Sequence, residues 1–104
     1  MLIEVTGPDV TVTDADDFTR LQIEATDAPS ALEALSAASL LADEPASTAE
    51  AAWLRIDALR ARAADAATTD AAEWSEKWDG MIAFAAKHGW VEKSALRSHI
   101  VAAV

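Results

Sequence analysis

The fold of this chain is decided by residues 1–25, MLIEVTGPDVTVTDADDFTRLQIEA, where a strand pattern precedes a long helical one. Three segments in it are rich in Val, Ile, Thr and Leu, as half-buried strands are: residues 2–5, 9–13 and 18–25. Turn-forming residues separate them at 6–8 and at 14–17. The pattern therefore predicts a three-stranded antiparallel β-meander over residues 1–25.

From Thr26 onward the apolar residues recur at helical spacing. A first helix is predicted to start at Asp27 or Ser30 and to stop near residues 43–45. A second is predicted from the capping box at 47–50 to residue 67, where Thr68 and Thr69 break it. Two of the three strands in the meander would be sheet edges, which leaves them open to pairing with a second chain.

Two further helices follow from capping signals. Asp70 is predicted to start the third, which ends with Lys87 and His88 in its last turn and Gly89 as the left-handed residue beyond. Trp90 then occupies the position of a Schellman contact. Ser94 is predicted as the N-cap of a fourth helix that runs to the C-terminus. The fold class is thus α+β, with a small meander (1–25) packed against about four short Ala-rich helices (26–104) in one domain, 1–104.

Composition excludes several function classes. The chain has 104 residues, no cysteine and a formal net charge of −10, which excludes disulfides and thiolate chemistry and disfavours nucleic acid as a partner. No apolar run is long enough to span a membrane and no leader is apparent, so a cytoplasmic protein is expected. Because so many core candidates are alanine, the core is expected to be marginal alone and the chain to form a dimer.

The side chains capable of chemistry are concentrated near the C-terminus. All three lysines, both histidines and three of the four tryptophans lie between Trp74 and His99. From residue 87 to residue 104 there are three basic residues and a single acid, whereas the rest of the chain is strongly acidic. A functional surface is therefore expected in this part of the chain.

The third predicted helix places Trp74, Trp78 and His88 on its apolar side. Two interpretations are open for this face. The tryptophans can be core residues while His88 complements the helix dipole. Alternatively, the two indoles and the imidazole line a pocket for an apolar ligand.

The last predicted helix, from Ala95 to Val104, has almost no polar face, so we expect it to be buried in its own domain or covered by a partner. Its Arg97 then needs a carboxylate from the same chain or a bound anion. For the anion, Ser94 at the helix start with Lys93, Arg97 and Lys87 nearby forms a candidate site for a carboxylate or phosphate.

Catalytic chemistry has weak support in the sequence. His88 or His99, with Asp79 and Arg97, provide the groups for acid/base catalysis in a cofactor-independent enzyme. No Gly-x-Ser-x-Gly motif is present, and the spacing of the two histidines suggests no metal site. We therefore expect no metal and no cofactor.

Two functional hypotheses follow. The first is a small accessory or protein-interaction protein, homodimeric or bound to another protein through its C-terminal surface, whose residues are Trp74, Trp78, Trp90, Lys93, Arg97 and Ile100. The second is a small-molecule-binding protein or cofactor-independent isomerase, hydratase or lyase. Its pocket, between helices three and four, is closed by Trp78 and Trp90, and Arg97 holds an anionic group of the ligand.

Overall fold

The computed structural model describes residues 1–18, 21–43 and 47–102, and in these the chain forms six strands and three helices. The strands are β1 (Leu2–Thr6), β2 (Asp9–Thr13), β3 (Gln22–Ala25), β4 (Ala51–Arg55), β5 (Val91–Glu92) and β6 (Ala95–Ala102). The helices are α1 (Ala28–Ala37), α2 (Ile56–Ala66) and α3 (Ala71–Lys87). The predicted α+β class is confirmed, but the sheet is mixed and the described helices number three.

The strands form one sheet in the order β2-β1-β3-β6-β4, with β5 paired to the start of β6. β1 and β2 make the predicted antiparallel hairpin, closed at Gly7, whose φ of +59° fits a tight two-residue turn. β3 pairs with the other edge of β1 and runs parallel to it, so the antiparallel meander is wrong. The reason is the connection after β2, which passes the end of β1 and places β3 beside β1 and not beside β2.

The largest correction concerns the C-terminal segment, which is strand β6, an inner strand of the sheet between β3 and β4. It runs parallel to β3 on one side and antiparallel to β4 on the other. The side chains of Leu96, Ser98 and Ile100 are buried, whereas those of Arg97 and His99 are exposed. This two-residue period explains why apolar residues cover most of a helical wheel drawn on the same segment.

The second predicted helix is half strand. Residues 51–55 form β4, and α2 starts only at Ile56. The residues predicted to cap a helix instead shape the turn into β4, where the Ser47 hydroxyl accepts a 2.9 Å hydrogen bond from the Trp53 amide. Pairing with β6 thus overrides the local helical preference of an Ala-rich segment.

Helices α1 and α3 start where their caps predict. The Asp27 carboxylate accepts from the Ser30 amide at 2.8 Å, and the Asp70 carboxylate accepts from the first-turn amides of α3. α1 ends earlier than predicted, at Ala37, because Ser39 has a φ of +61° and turns the chain toward β4. The first helix was predicted to end near residues 43–45, and residues 44 and 45 lie outside the described residues.

The outer edge of β4 is covered by the segment that follows α1. The Ala42 amide donates to the Trp53 carbonyl and the Arg55 amide donates to the Leu40 carbonyl, both at 2.8 Å. These bonds satisfy backbone groups with which another strand would otherwise pair. Edge pairing with a second chain is thus blocked at this end of the sheet.

The helices pack on one face of the sheet. The core contains side chains from alternate strand positions and from the helices, including Ile3, Ile23, Leu54, Leu96, Ile100, Leu35, Leu59 and Trp78. The other face carries residues in the intervening positions, among them Glu4, Gln22, Arg97 and His99, which are half-buried or exposed. Across the described residues, every helix is too short or too polar to span a membrane.

Asp16 joins two loops on the core side of the sheet. Its carboxylate accepts hydrogen bonds from the Thr68 amide at 3.0 Å, the Thr68 hydroxyl at 2.8 Å and the Thr69 amide at 3.1 Å. Hydrogen bonds from Thr69 and Thr68 hold the pKa of this carboxyl well below its ordinary value. The connection after β2 is thereby fixed to the α2–α3 loop.

Candidate functional site

The main candidate site is a cleft of about 510 Å³ beside strand β6. We call it the β3–β5 cleft. It is formed where two short strands share one edge of β6. β5 pairs with Ala95 and Leu96, whereas β3 begins its pairing at His99. Between them the sheet has a gap. The cleft is lined by Phe18, Leu21, Gln22, Met81, Phe84, Ala85, Trp90, Leu96, Arg97 and His99.

The two faces of β6 give the cleft two chemically different ends. Leu96 points to the core side and meets Ala85 and Met81 of α3 in the lining. Arg97 and His99 point to the open face of the sheet, where Gln22 lies directly beside His99 in the β3–β6 register. The cleft therefore has an apolar interior and a mouth bearing one guanidinium, one imidazole and one carboxamide.

The end of α3 fixes one wall of the cleft. The Trp90 amide donates to the Ala85 carbonyl at 2.9 Å and the Gly89 amide donates to the Ala86 carbonyl at 3.2 Å, the two bonds of a Schellman motif. Gly89 has a φ of +76°. The predicted cap is thus confirmed, and it delivers Trp90 to the mouth of the cleft.

Three rings at this cap form an exposed cluster, which we call the aromatic triad: Phe84, His88 and Trp90. Trp90 stacks on His88 at a centroid distance of 4.8 Å, and Phe84 lies 4.5 Å from His88 and 6.1 Å from Trp90. Phe84 is 56% exposed and Trp90 is 38% exposed. The sequence interpretation missed Phe84, although a phenylalanine on the polar side of a helix was the available signal.

The electrostatics of the cleft contrast with those of the chain. Among the described residues that line it there is no Asp or Glu, although the chain carries a net charge of −10. Outside the cleft, an ion pair joins Lys77 and Glu73 on the exposed side of α3, at 3.5 Å. Arg97 is exposed on the open face, so the burial that would have required an internal carboxylate partner for its guanidinium is absent.

Three of the predicted surface residues lie in the core. Trp74 and Trp78 are 3% and 2% exposed and stack on each other at 5.4 Å, and the Trp74 indole N–H donates to the Ala15 carbonyl at 2.8 Å. Ile100 points into the same core from β6. These three side chains are therefore not available to a partner, and Trp78 does not line the cleft.

The helix start on which the anion site was predicted is a hairpin turn. Lys93 and Ser94 form the two-residue turn between β5 and β6, with φ values of +50° and +65°. A hairpin turn offers none of the free amides that a helix N-terminus would supply. Of the cations assigned to that site, Arg97 alone lines the cleft.

The three candidate catalytic residues are separated. His88 caps α3 and His99 lines the cleft. Asp79 is exposed on α3 and borders a different hollow together with Arg60 and Trp78. Within residues 1–18, 21–43 and 47–102, no three His, Asp or Glu side chains group in a way that would hold a metal ion.

Comparison with protein-family models, curated protein sequences and solved structures finds no match to this chain. The site is therefore interpreted from its own geometry and charge.

Proposed function

We propose that this protein is a cytoplasmic binding protein whose β3–β5 cleft takes a small apolar molecule with an anionic group. One observation carries the proposal: a carboxylate-free lining with Arg97 at its mouth, in an otherwise acidic chain. A cation kept apart from the many available acids is suited to a ligand that brings its own negative charge.

The size and the lining of the cleft support a small ligand. Its volume of about 510 Å³ falls within the range of roughly 300–1,000 Å³ typical of ligand sites. Its interior is apolar, from Leu21 and Phe18 on one side to Met81 and Leu96 on the other, and its polar groups are few and gathered at one end. Apolar burial would supply affinity, and the polar mouth would orient the ligand.

Binding is favoured over catalysis by the placement of the candidate acids and bases. His99 lines the cleft, but Asp79 borders another hollow and His88 stacks behind Trp90. An isomerase, hydratase or lyase would need a second acid or base within hydrogen-bond reach of the reacting atoms. The described lining offers none beyond His99.

The test is a screen of apolar acids against the wild-type chain, read by thermal shift and by tryptophan fluorescence, since Trp90 lines the cleft. Hits are then measured on Leu21→Trp, which fills the cleft, and on Leu32→Trp, a matched change at a half-buried position of α1 outside it. Binding lost in the first variant and kept in the second supports the proposal. Equal binding in both variants, or no hit at all, contradicts it.

A second function is favoured by one observation, the exposure of Phe84 and Trp90. Large exposed rings held together in a cluster are typical of protein interfaces. We propose as the alternative that the aromatic triad docks on a second copy or on another protein. Sedimentation velocity should then show a dimer for the wild type and a monomer for Phe84→Ser. A monomer at all concentrations, with no protein co-purifying from the host, contradicts this alternative.

A further inference from the structure

The contact between Arg97 and Trp90 indicates which class of ligand the cleft binds. This inference rests on the proposed function of the cleft. The Arg97 amide donates to the Trp90 carbonyl at 2.7 Å. This bond continues the β5–β6 register beyond Val91 and Leu96, so the two residues stand opposite each other. Directly opposed residues have Cβ atoms roughly 5 Å apart. A guanidinium and a flat apolar side chain therefore adjoin at the mouth.

Trp90 is held in place before any ligand arrives. Its amide is bound by Ala85 and its carbonyl by Arg97. His88 stacks on the indole with the planes inclined by 21°. His88 does not line the cleft, whereas Trp90 and Phe84 do, so we assign the imidazole to the indole face turned away from the cleft. Phe84 meets the indole edge-on, with the centroids 6.1 Å apart. The remaining face is a preformed flat wall, which suits a rigid ring better than a flexible chain that must be ordered on binding.

The positive charge of Arg97 at the mouth of the cleft matches a ligand that carries a single negative charge. Arg97 is the permanently charged side chain in the described lining, and Gln22 and His99 add hydrogen-bonding groups beside it. A carboxylate carries one charge and fits the guanidinium in a planar, two-bonded arrangement. A phosphate monoester carries nearly two charges, and the acidic remainder of the chain would repel the excess.

We propose that the β3–β5 cleft binds planar aromatic monocarboxylates in which one or two bonds separate the ring from the carboxylate. The carboxylate lies on Arg97 at the open face of the sheet. The ring lies against Trp90, with its far edge toward Leu96 and Met81.

Titration calorimetry on the wild-type chain with four probes tests the class directly. These are 2-naphthylacetate, its neutral amide, 2-naphthyl phosphate and decanoate. The aromatic acid should bind at least about ten-fold more tightly than each of the others, because charged hydrogen bonds and ring contacts each contribute a factor of roughly that size.

Two arginine variants locate the carboxylate. Arg97→Gln should weaken 2-naphthylacetate by roughly 10- to 100-fold and leave the amide unchanged. Arg55→Gln removes the same charge from the same face of the sheet, outside the lining, and should leave both affinities as they were. Trp90→Leu should reduce the preference for 2-naphthylacetate over decanoate while keeping the dependence on Arg97.

Several results would overturn this assignment while leaving the proposed function intact. The first is that the neutral amide binds as tightly as 2-naphthylacetate. The second is that decanoate or 2-naphthyl phosphate binds more tightly than 2-naphthylacetate. The third is that Arg97→Gln and Arg55→Gln lose equal affinity. If none of the four probes binds and the apolar-acid screen also finds no cleft ligand, the proposed function itself fails.

Discussion

The indole of Trp90 lies on the imidazole of His88, with centroids 4.8 Å apart and planes inclined by 21°. Trp90 lines the candidate site, and His88, at the end of the same helix, supports its indole from outside the lining. The stack depends on the turn between them, because Gly89 reverses the chain and brings the Trp90 amide back to the Ala85 carbonyl. Changes in this turn should therefore affect both stability and the site.

Gly89→Ala should lower the free energy of unfolding by about 1 kcal/mol, because a φ of +76° disfavours any residue with a Cβ. Urea denaturation measures the change. Gly80→Ala is the matched control, in the interior of α3 with open space around its Cβ position, and should instead raise the free energy by about 0.5–1 kcal/mol. Equal effects from the two substitutions would contradict the described end of α3.

Ser94→Gly should raise the free energy of unfolding by up to about 1 kcal/mol. Lys93 and Ser94 both have positive φ, as in the hairpin turns for which Asn-Gly is preferred. The matched control is Ser36→Gly, in the last turn of α1. It should lower the free energy of unfolding, because glycine is a poor helix residue. Destabilisation by Ser94→Gly in thermal or urea unfolding would rule out this turn geometry.

Ser98→Ala should raise the free energy of unfolding by about 1 kcal/mol, because it removes a buried hydroxyl that has no hydrogen-bond partner. The Ser98 side chain is 2% exposed and faces the core from strand β6. Denaturant unfolding of the wild type and of Ser98→Ala measures the change in the free energy of unfolding. A loss of stability in the alanine variant would mean that the hydroxyl is hydrogen-bonded in solution.

The hydrogen bonds to Asp16 predict a specific loss of stability in acid. Since folding lowers the pKa of this carboxyl below the ordinary value of 3.8, its contribution is present above that value and is lost as the pH falls below it. Asp27, whose pKa the Ser30 amide lowers, acts in the same direction.

Unfolding measured from pH 6 down to pH 2 should therefore show a smaller fall in stability for Asp16→Asn than for the wild type. Asp65→Asn, at an exposed position of α2, serves as the control and should follow the wild-type profile. Identical slopes for the wild type and Asp16→Asn would contradict the described contacts with Thr68 and Thr69.

Ile100→Asp should unfold the chain, with a cost above about 4 kcal/mol for a charge buried at the centre of the sheet. On a helix covered by a partner, the same substitution would have produced a folded monomer. Circular dichroism distinguishes the two results. Trp90→Asp, at a partly exposed position, should fold and is the control.

The sequence predicted what short-range signals determine and missed what long-range pairing determines. Asp27, Asp70 and Gly89 act within one helical turn of their own positions, and the helix ends that they predict are those of α1 and α3. Residues 51–55 and 95–102 contain no such signal. Residues 51–55 form a strand beside β6, and residues 95–102 form one between β4 and β3. An isolated segment carries no information about such partners.

The same distinction explains the site. The sequence indicates Arg97 and Trp90 because bases outnumber acids only near the C-terminus, where most of the tryptophans also lie, and both residues line the cleft. Leu21 and Gln22 were assigned to a strand with no role, because only the parallel pairing of β3 with β6 brings them to His99. The gap in the sheet depends on where two separate strands end, which no local pattern shows.

The position of β6 between two other strands also constrains how the protein reaches its native state. Its partners are distant in the chain, since Gln22 pairs with His99 and Ala51 pairs with the same residue on the opposite side. Until β6 emerges from the ribosome, β3 and β4 have no common neighbour and expose apolar surface, so the two halves cannot close independently. Folding should accordingly be slow for a chain of this size, and the nascent polypeptide is a natural client for chaperones.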